Sequence, residues 1–134
     1  MVTKLYLIRH CEALGNINDT FQGSIDEDIT DKGQRQLDKL AERCKNIPFD
    51  VIYSSPLIRA VKTAQAADRY HGLEIIVDPA FSEINGGEFE GVKWGELPVL
   101  FPDTYNKWRN DFAKFATEKG ESMTEVYRRV SLGA

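Results

Sequence analysis

Val51-Ile52-Tyr53-Ser54-Ser55-Pro56-Leu57-Ile58-Arg59-Ala60-Val61-Lys62-Thr63-Ala64 decides the fold. The stretch opens on a short apolar run of the kind buried on both faces of a parallel sheet. Ser55 then suits a helix N-cap and Pro56 the first helical position. Leu57, Ala60, Val61 and Ala64 recur at helical spacing, so a strand turns one tight corner into an amphipathic helix. Upstream, Leu5-Tyr6-Leu7-Ile8 is another buried-strand run. It is followed by a helix whose stripe is Leu37, Leu40, Ala41 and Cys44, behind Thr30 as N-cap. Downstream, Ile75-Ile76-Val77 supplies a third strand. Tyr105, Trp108, Phe112 and Phe115 predict a further helix. Ser122-Met123-Thr124-Glu125 is a capping box opening a last one, with Met123, Val126, Tyr127 and Val130 on one face. Strand, helix, strand, helix, strand implies an α/β fold with a parallel sheet and right-handed crossovers.

A length of 134 residues suits one domain with a modest core, here residues 1–134. The 42% apolar and 28% charged residues are those of a globular chain, too apolar for disorder. Seventeen Lys and Arg against 21 Asp and Glu leave a charge of −4, which argues against a general nucleic-acid binder. Cys11 and Cys44 are too few for a disulfide scaffold and read as reduced thiols. The N-terminal apolar run is too short for a secretory signal, and no segment reaches membrane-spanning length. These features together predict a cytoplasmic protein.

In open α/β sheets the ligand crevice lies beyond the carboxyl ends of the strands. Arg9 and His10 follow the first strand directly, Arg59 lies in the first turns of the helix after the second, and Glu83 follows the third. An arginine near a helix N-terminus opposes the macrodipole unless an anion sits there, when guanidinium and free N–H groups both face it. A solvated surface arginine is the bland alternative for Arg59, as a structural hydrogen bond is for His10 and a surface carboxylate for Glu83. Arg9 beside His10 tips the balance towards a phosphate pocket. There an imidazole nitrogen can attack phosphorus, with Glu83 protonating the leaving oxygen and later activating water. His71 reads as a helix-end residue. No Gly-Lys-Ser/Thr phosphate loop, zincin helix or zinc-finger spacing exists, and Cys11 lacks the downstream arginine of a cysteine phosphatase. The aromatic residues between Trp94 and Phe115 fit either a binding wall or a core.

These residues resemble a known family. Leu7-Ile8-Arg9-His10-Cys11-Glu12 followed by Asn16 resembles the Arg-His-Gly-Glu…Asn signature of the histidine phosphatase, or phosphoglycerate-mutase-like, superfamily. Gln22-Gly23 with Asp28 to Gly33, Ser54 to Ala64, Phe81 to Gly91, and Gly120-Glu121-Ser122 resemble its later blocks in order. The resemblance implies a three-layer α/β sandwich, with a mostly parallel central sheet flanked by helices. It implies His10 as phosphorylated nucleophile and Glu83 as general acid and base. Arg9 and Arg59 become the phosphate clamp, with Asn16, Gln22 and Gly23 lining the pocket, and neither metal nor organic cofactor is expected.

Two departures stand out. Cys11 replaces the usual glycine, where a Cβ risks crowding the phosphate. The family's second catalytic histidine, late in the chain, has no counterpart, since only His10 and His71 exist. The expectation is therefore a domain incomplete at its C-terminus and weak alone, completed by a C-terminal segment or a partner chain in a homo-oligomer. Mutases show Arg-His-Tyr-Gly after the glutamate, where this chain has Ile84-Asn85-Gly86-Gly87. The resemblance thus favours a phosphomonoester hydrolase acting through phosphohistidine on a small phosphorylated metabolite. The alternatives are mutase-type phosphoryl transfer, and a fragment or degenerate member that only binds a phosphorylated ligand or partner chain.

Overall fold

The 51–64 stretch folds as strand, loop and helix in the computed structural model, which describes residues 1–134. Strand β1 is Ile52–Ser54 and strand β2 is Ile75–Val77, paired in parallel with Ile52 opposite Ile75 and Ser54 opposite Val77. The helices are α1 (Leu14–Asn18), α2 (Asp31–Cys44), α3 (Ile58–Asp68), α4 (Leu97–Leu100), α5 (Pro102–Asn110) and α6 (Met123–Gly133). Single 3-10 turns cover Pro79–Phe81, Gly87–Phe89, Trp94–Glu96 and Phe112–Lys114. The chain is α/β, as expected, with a crossover helix joining its two parallel strands.

Helix α2 starts where the sequence places it, because the Thr30 Oγ1 accepts from the Gly33 N–H at 3.0 Å. Its buried residues Leu37 and Ala41 face α3, and Leu37 packs with Cys11 and Ala66 in a small cluster. A larger core gathers Phe21, Ile84, Phe89, Leu97 and Phe115, all at most 3% exposed. Trp94, Trp108, Met123 and Val126 pack against it. The residues between Trp94 and Phe115 therefore build a core rather than a binding wall.

Three expectations are corrected. Leu5–Ile8 is not a strand: Leu5 is 80% and Leu7 87% exposed, and no backbone hydrogen bond between main-chain groups reaches residues 1–10. A doubly buried strand needs a ladder partner as well as apolar side chains, and β1 and β2 pair only with each other. The Tyr6 ring does meet Phe49 edge-on at 5.4 Å. Helix α3 begins at Ile58 rather than Pro56, and Ser55 is not its cap. The Ser55 Oγ instead accepts from the Leu57 N–H at 3.3 Å, and the Asp26 carboxylate accepts from the Ile58 N–H at 2.7 Å. A distant aspartate thus does the work of a local cap. Finally, α5 stops at Asn110, because Asp111 turns to φ −145°, leaving Phe112 on a 3-10 turn and Phe115 just after it. Both rings still reach Trp108, at 4.9 and 4.8 Å between centroids.

Candidate functional site

The loop carrying His10 is held from two helices. The Cys11 N–H donates to the Thr63 Oγ1 of α3 at 3.1 Å, and that hydroxyl donates to the Arg59 carbonyl at 2.8 Å. From α2, the Gln36 side chain accepts the Glu12 N–H at 2.8 Å. The Thr30 N–H and hydroxyl bond the Glu12 carbonyl and carboxylate at 3.1 and 2.7 Å. His10 is therefore fixed from its C-terminal side, although the residues before it are unpaired.

The His10 ring is half-buried, and its Nδ1 lies 2.6 Å from the Cys11 carbonyl. A carbonyl can only accept, so Nδ1 carries the proton and Nε2 keeps its lone pair in the neutral ring. Burial is the main cause holding the imidazole pKa below its ordinary value. The Cys11 carbonyl opposes that shift, the charges of Arg59 and Arg9 add to it, and Glu83 opposes it. One arginine from α3, one from the N-terminal segment and one carboxylate thus act on the same ring.

Arg59 is 2% exposed, which excludes the solvated surface arginine. Its Nη1 donates to the Ile25 carbonyl at 2.7 Å and its Nη2 to the Gly23 carbonyl at 2.6 Å. A guanidinium has five N–H donors, so three remain for an anion. Burial lowers its pKa, against the charges of Glu83, Asp26, Glu90 and Glu27. The other face of the same loop is held by Glu90, whose carboxylate accepts from the N–H groups of Gly23, Ser24, Ile25 and Gly86 at 2.8 to 3.3 Å. A Cβ at Gly23 would strike the Ile84 carbonyl and the Glu90 carboxylate, so only glycine fits between them.

The other expected residues fall as follows. Glu83 is exposed, and its Oε1 accepts from the Ile84 N–H at 2.8 Å. Arg9 is exposed and forms no ion pair or hydrogen bond within the chain. The Asn16 Oδ1 accepts from the Ala13 N–H at 2.9 Å, and its amide NH₂ has no partner within the chain. The Gln22 Oε1 is buried without a partner, an acceptor held in reserve beside the loop. Cys11 turns into the cluster with Leu37 and Ala66, so its Cβ packs in the core, and burial pushes its thiol pKa up. Both cysteines are free thiols. His71 is structural: its Nε2 donates to the Cys44 carbonyl at 2.8 Å and its ring lies against Phe49.

Sequence reasoning missed Thr63 and Glu90 as parts of this arrangement. Thr63 stands one helical turn beyond Arg59, a usable signal; Glu90 stands in the Phe81 to Gly91 block, but its role as acceptor shows only in the folded loop. No three His, Cys, Asp or Glu side chains are gathered as metal ligands, and no helix is long and apolar enough to cross a membrane.

The chain is 34% identical over 129 residues to phosphoserine phosphatase 1 of Hydrogenobacter thermophilus, covering 96% of this chain and 61% of that protein. It is 35% identical over 132 residues to a probable phosphoglycerate mutase of Yersinia pestis, covering 95% and 59%. The crystal structure of the alpha-ribazole phosphatase from Shigella flexneri superposes with a TM-score of 0.85 at 25% identity, covering 94% of this chain and 62% of that one. The chain thus spans about three fifths of the length of these relatives. A profile of the histidine phosphatase superfamily, branch 1, matches residues 5–133, and the chain belongs to that family.

Proposed function

We propose that this chain carries the phosphoryl-accepting half of a phosphomonoester hydrolase site, in one domain, acting on small phosphorylated metabolites. The observation that carries the reading is the half-buried His10, neutral near pH 7, with Nε2 free and cationic Arg59 and Arg9 acting on it. Nε2 attacks phosphorus while the two guanidiniums hold the phosphoryl oxygens, with Asn16, Gln22 and Gly23 around them. Glu83 protonates the leaving oxygen, then takes a proton from the water that hydrolyses the phosphohistidine. The cycle consumes one water and releases an alcohol and inorganic phosphate.

Hydrolysis is favoured over mutase-type transfer by the segment after Glu83. Ile84 is 2% exposed in an apolar core, and a Cβ on Gly86 would strike the Phe21 ring. Neither position offers a cation to a second phosphate. With a single histidine at the site, turnover by the chain alone is slow. A histidine-bearing segment, of the same polypeptide or of a second copy, raises it. A cytoplasmic setting suits two free thiols.

The test is a panel of an aryl phosphate, O-phosphoserine and 3-phosphoglycerate, followed by phosphate release. The reading expects inorganic phosphate from the first two, abolished in His10→Ala. Isomerised phosphoglycerate without phosphate release would establish the mutase reading instead. Binding of phosphate with no turnover, equal in chain and variant, would establish a binding module.

A further inference from the structure

Arg129, on α6, reaches back to the segment that carries Glu83 and makes three of its five hydrogen bonds there, the other two going to Glu121. Its Nη1 donates to the Ala80 carbonyl at 2.9 Å and the Ser82 carbonyl at 2.6 Å. Its Nη2 donates to the Glu83 carbonyl at 3.1 Å and to the Glu121 Oε1 at 3.0 Å, and its Nε to the Glu121 Oε2 at 2.7 Å. Three backbone carbonyls within four residues, turned to one planar cation, fix the peptide planes on both sides of the Glu83 Cα. Glu121 completes the frame: its Oε1 accepts from the Asn85 N–H at 2.8 Å, and its own N–H donates to the Asn85 carbonyl at 2.8 Å. The pair is charge-assisted and bidentate, about a quarter exposed on each side, and each partner's pKa is shifted to favour its ion, chiefly by their mutual hydrogen bonds.

Glu83 itself is exposed, and its side chain has only the next residue's N–H as a protein partner. An exposed carboxylate on a loop has many rotamers and a mobile backbone, unless something outside the loop holds it. Proton transfer tolerates little of this, since a displacement of about 1 Å can cost about 10²-fold. We infer that Arg129, locked by Glu121, is the positioning residue for Glu83, and so decides how well the site expels poor leaving groups. The inference rests on the reading of Glu83 as proton donor. A lysine cannot replace Arg129, because an ammonium has three donors in a different geometry.

The experiment compares single-turnover rates on an alkyl and a nitrophenyl phosphate for the full chain, Arg129→Gln, Arg129→Lys and Glu121→Gln. It adds Glu83→Gln and the Glu83→Gln/Arg129→Gln double variant, with a thermal melt of each. The nitrophenolate leaves without a proton, so its release reports everything in that step except proton donation by Glu83. Arg129→Gln should lose about 10- to 10²-fold on the alkyl phosphate and much less on the aryl one. Arg129→Lys should not restore the difference. In the Glu83→Gln background the second substitution should add no further loss. Equal losses on both substrates, or additive losses in the double variant, would overturn the inference. Should Arg129→Gln not fold, Glu121→Gln carries the same test, because it keeps an acceptor for Asn85 but drops the ion pair. No turnover of either substrate by the unsubstituted chain would reject the phosphatase reading itself, and this inference with it.

Discussion

Burial holds the His10 pKa below its ordinary value, and the ring is oriented because the Cys11 carbonyl accepts a hydrogen bond from its Nδ1–H. In the proposed mechanism the nucleophile is the unprotonated ring, so phosphoryl transfer should fail as pH falls through the folded-state pKa. That pKa lies below the ordinary 6.5, and the acid limb of kcat/KM on an aryl phosphate should lie there too. A limb at or above 6.5 would mean that burial does not govern the ring. The same shift links to folding: the unfolded chain binds the proton more readily, so this group's stability is present above 6.5 and lost as pH falls through the lower value. In kcat/KM, which reports the step that forms the phosphohistidine, Glu83→Gln should slow alkyl phosphates by about 10²–10⁴-fold and aryl phosphates far less. Equal losses would make Glu83 structural. Gly23→Ala should destabilise by about 1–3 kcal/mol in chemical denaturation, since its Cβ has no space between Ile84 and Glu90. The proposed site residues were legible because Arg59 lies in the first turn of a helix and Arg9-His10 and Glu83 stand in stretches that resemble the family's blocks. The pairings of Thr63 with Cys11 and of Glu90 with Gly23 were not, because those partners lie 52 and 67 residues away and local spacing does not specify them.

Among the elements, those with their own caps were readable and those with tertiary caps were not. Thr30 and Ser122 accept from the third helical N–H, at 3.0 and 3.1 Å, and α2 and α6 start where those residues predict. Ser122→Ala should cost about 1 kcal/mol in a thermal or denaturant melt. A loss near zero would show that packing of Met123 and Val126, rather than the cap, sets the start of α6. Helix α3 was misplaced because its cap is Asp26, 32 residues upstream. The Leu5–Ile8 run was misread for the opposite reason. Apolar composition states what a segment would gain by burial, but a strand also needs a neighbour with open N–H and C=O groups. In α6, Tyr127 was expected on the buried face and is 74% exposed, while Arg129 turns back to hold the Glu83 segment.

At the scale of the whole molecule, order is graded. One core gathers Phe21, Ile84, Phe89, Leu97 and Phe115; a smaller cluster holds α2 and α3 against Cys11. Residues before His10 belong to neither. Native-state hydrogen exchange should therefore protect the amides of α2 and α3 and leave those of residues 2–9 near the unprotected rate. Slow exchange across Leu5–Ile8 would mean that this run has found a ladder partner in solution. The proposed site lies at the junction of these regions, with Arg9 from the unpaired N-terminal segment and Arg59, Gly23 and Glu83 from the ordered ones. The central claim is that this junction makes a phosphohistidine at His10, and the most direct test is to trap it. The chain is mixed with an aryl phosphate, quenched in base, digested and read by mass spectrometry. One phosphoryl group on the His10 peptide, labile to acid and absent in His10→Ala, is the predicted result. Phosphoryl transfer that survives His10→Ala, or rapid phosphate release with no phosphorylated His10 at any time, would contradict it.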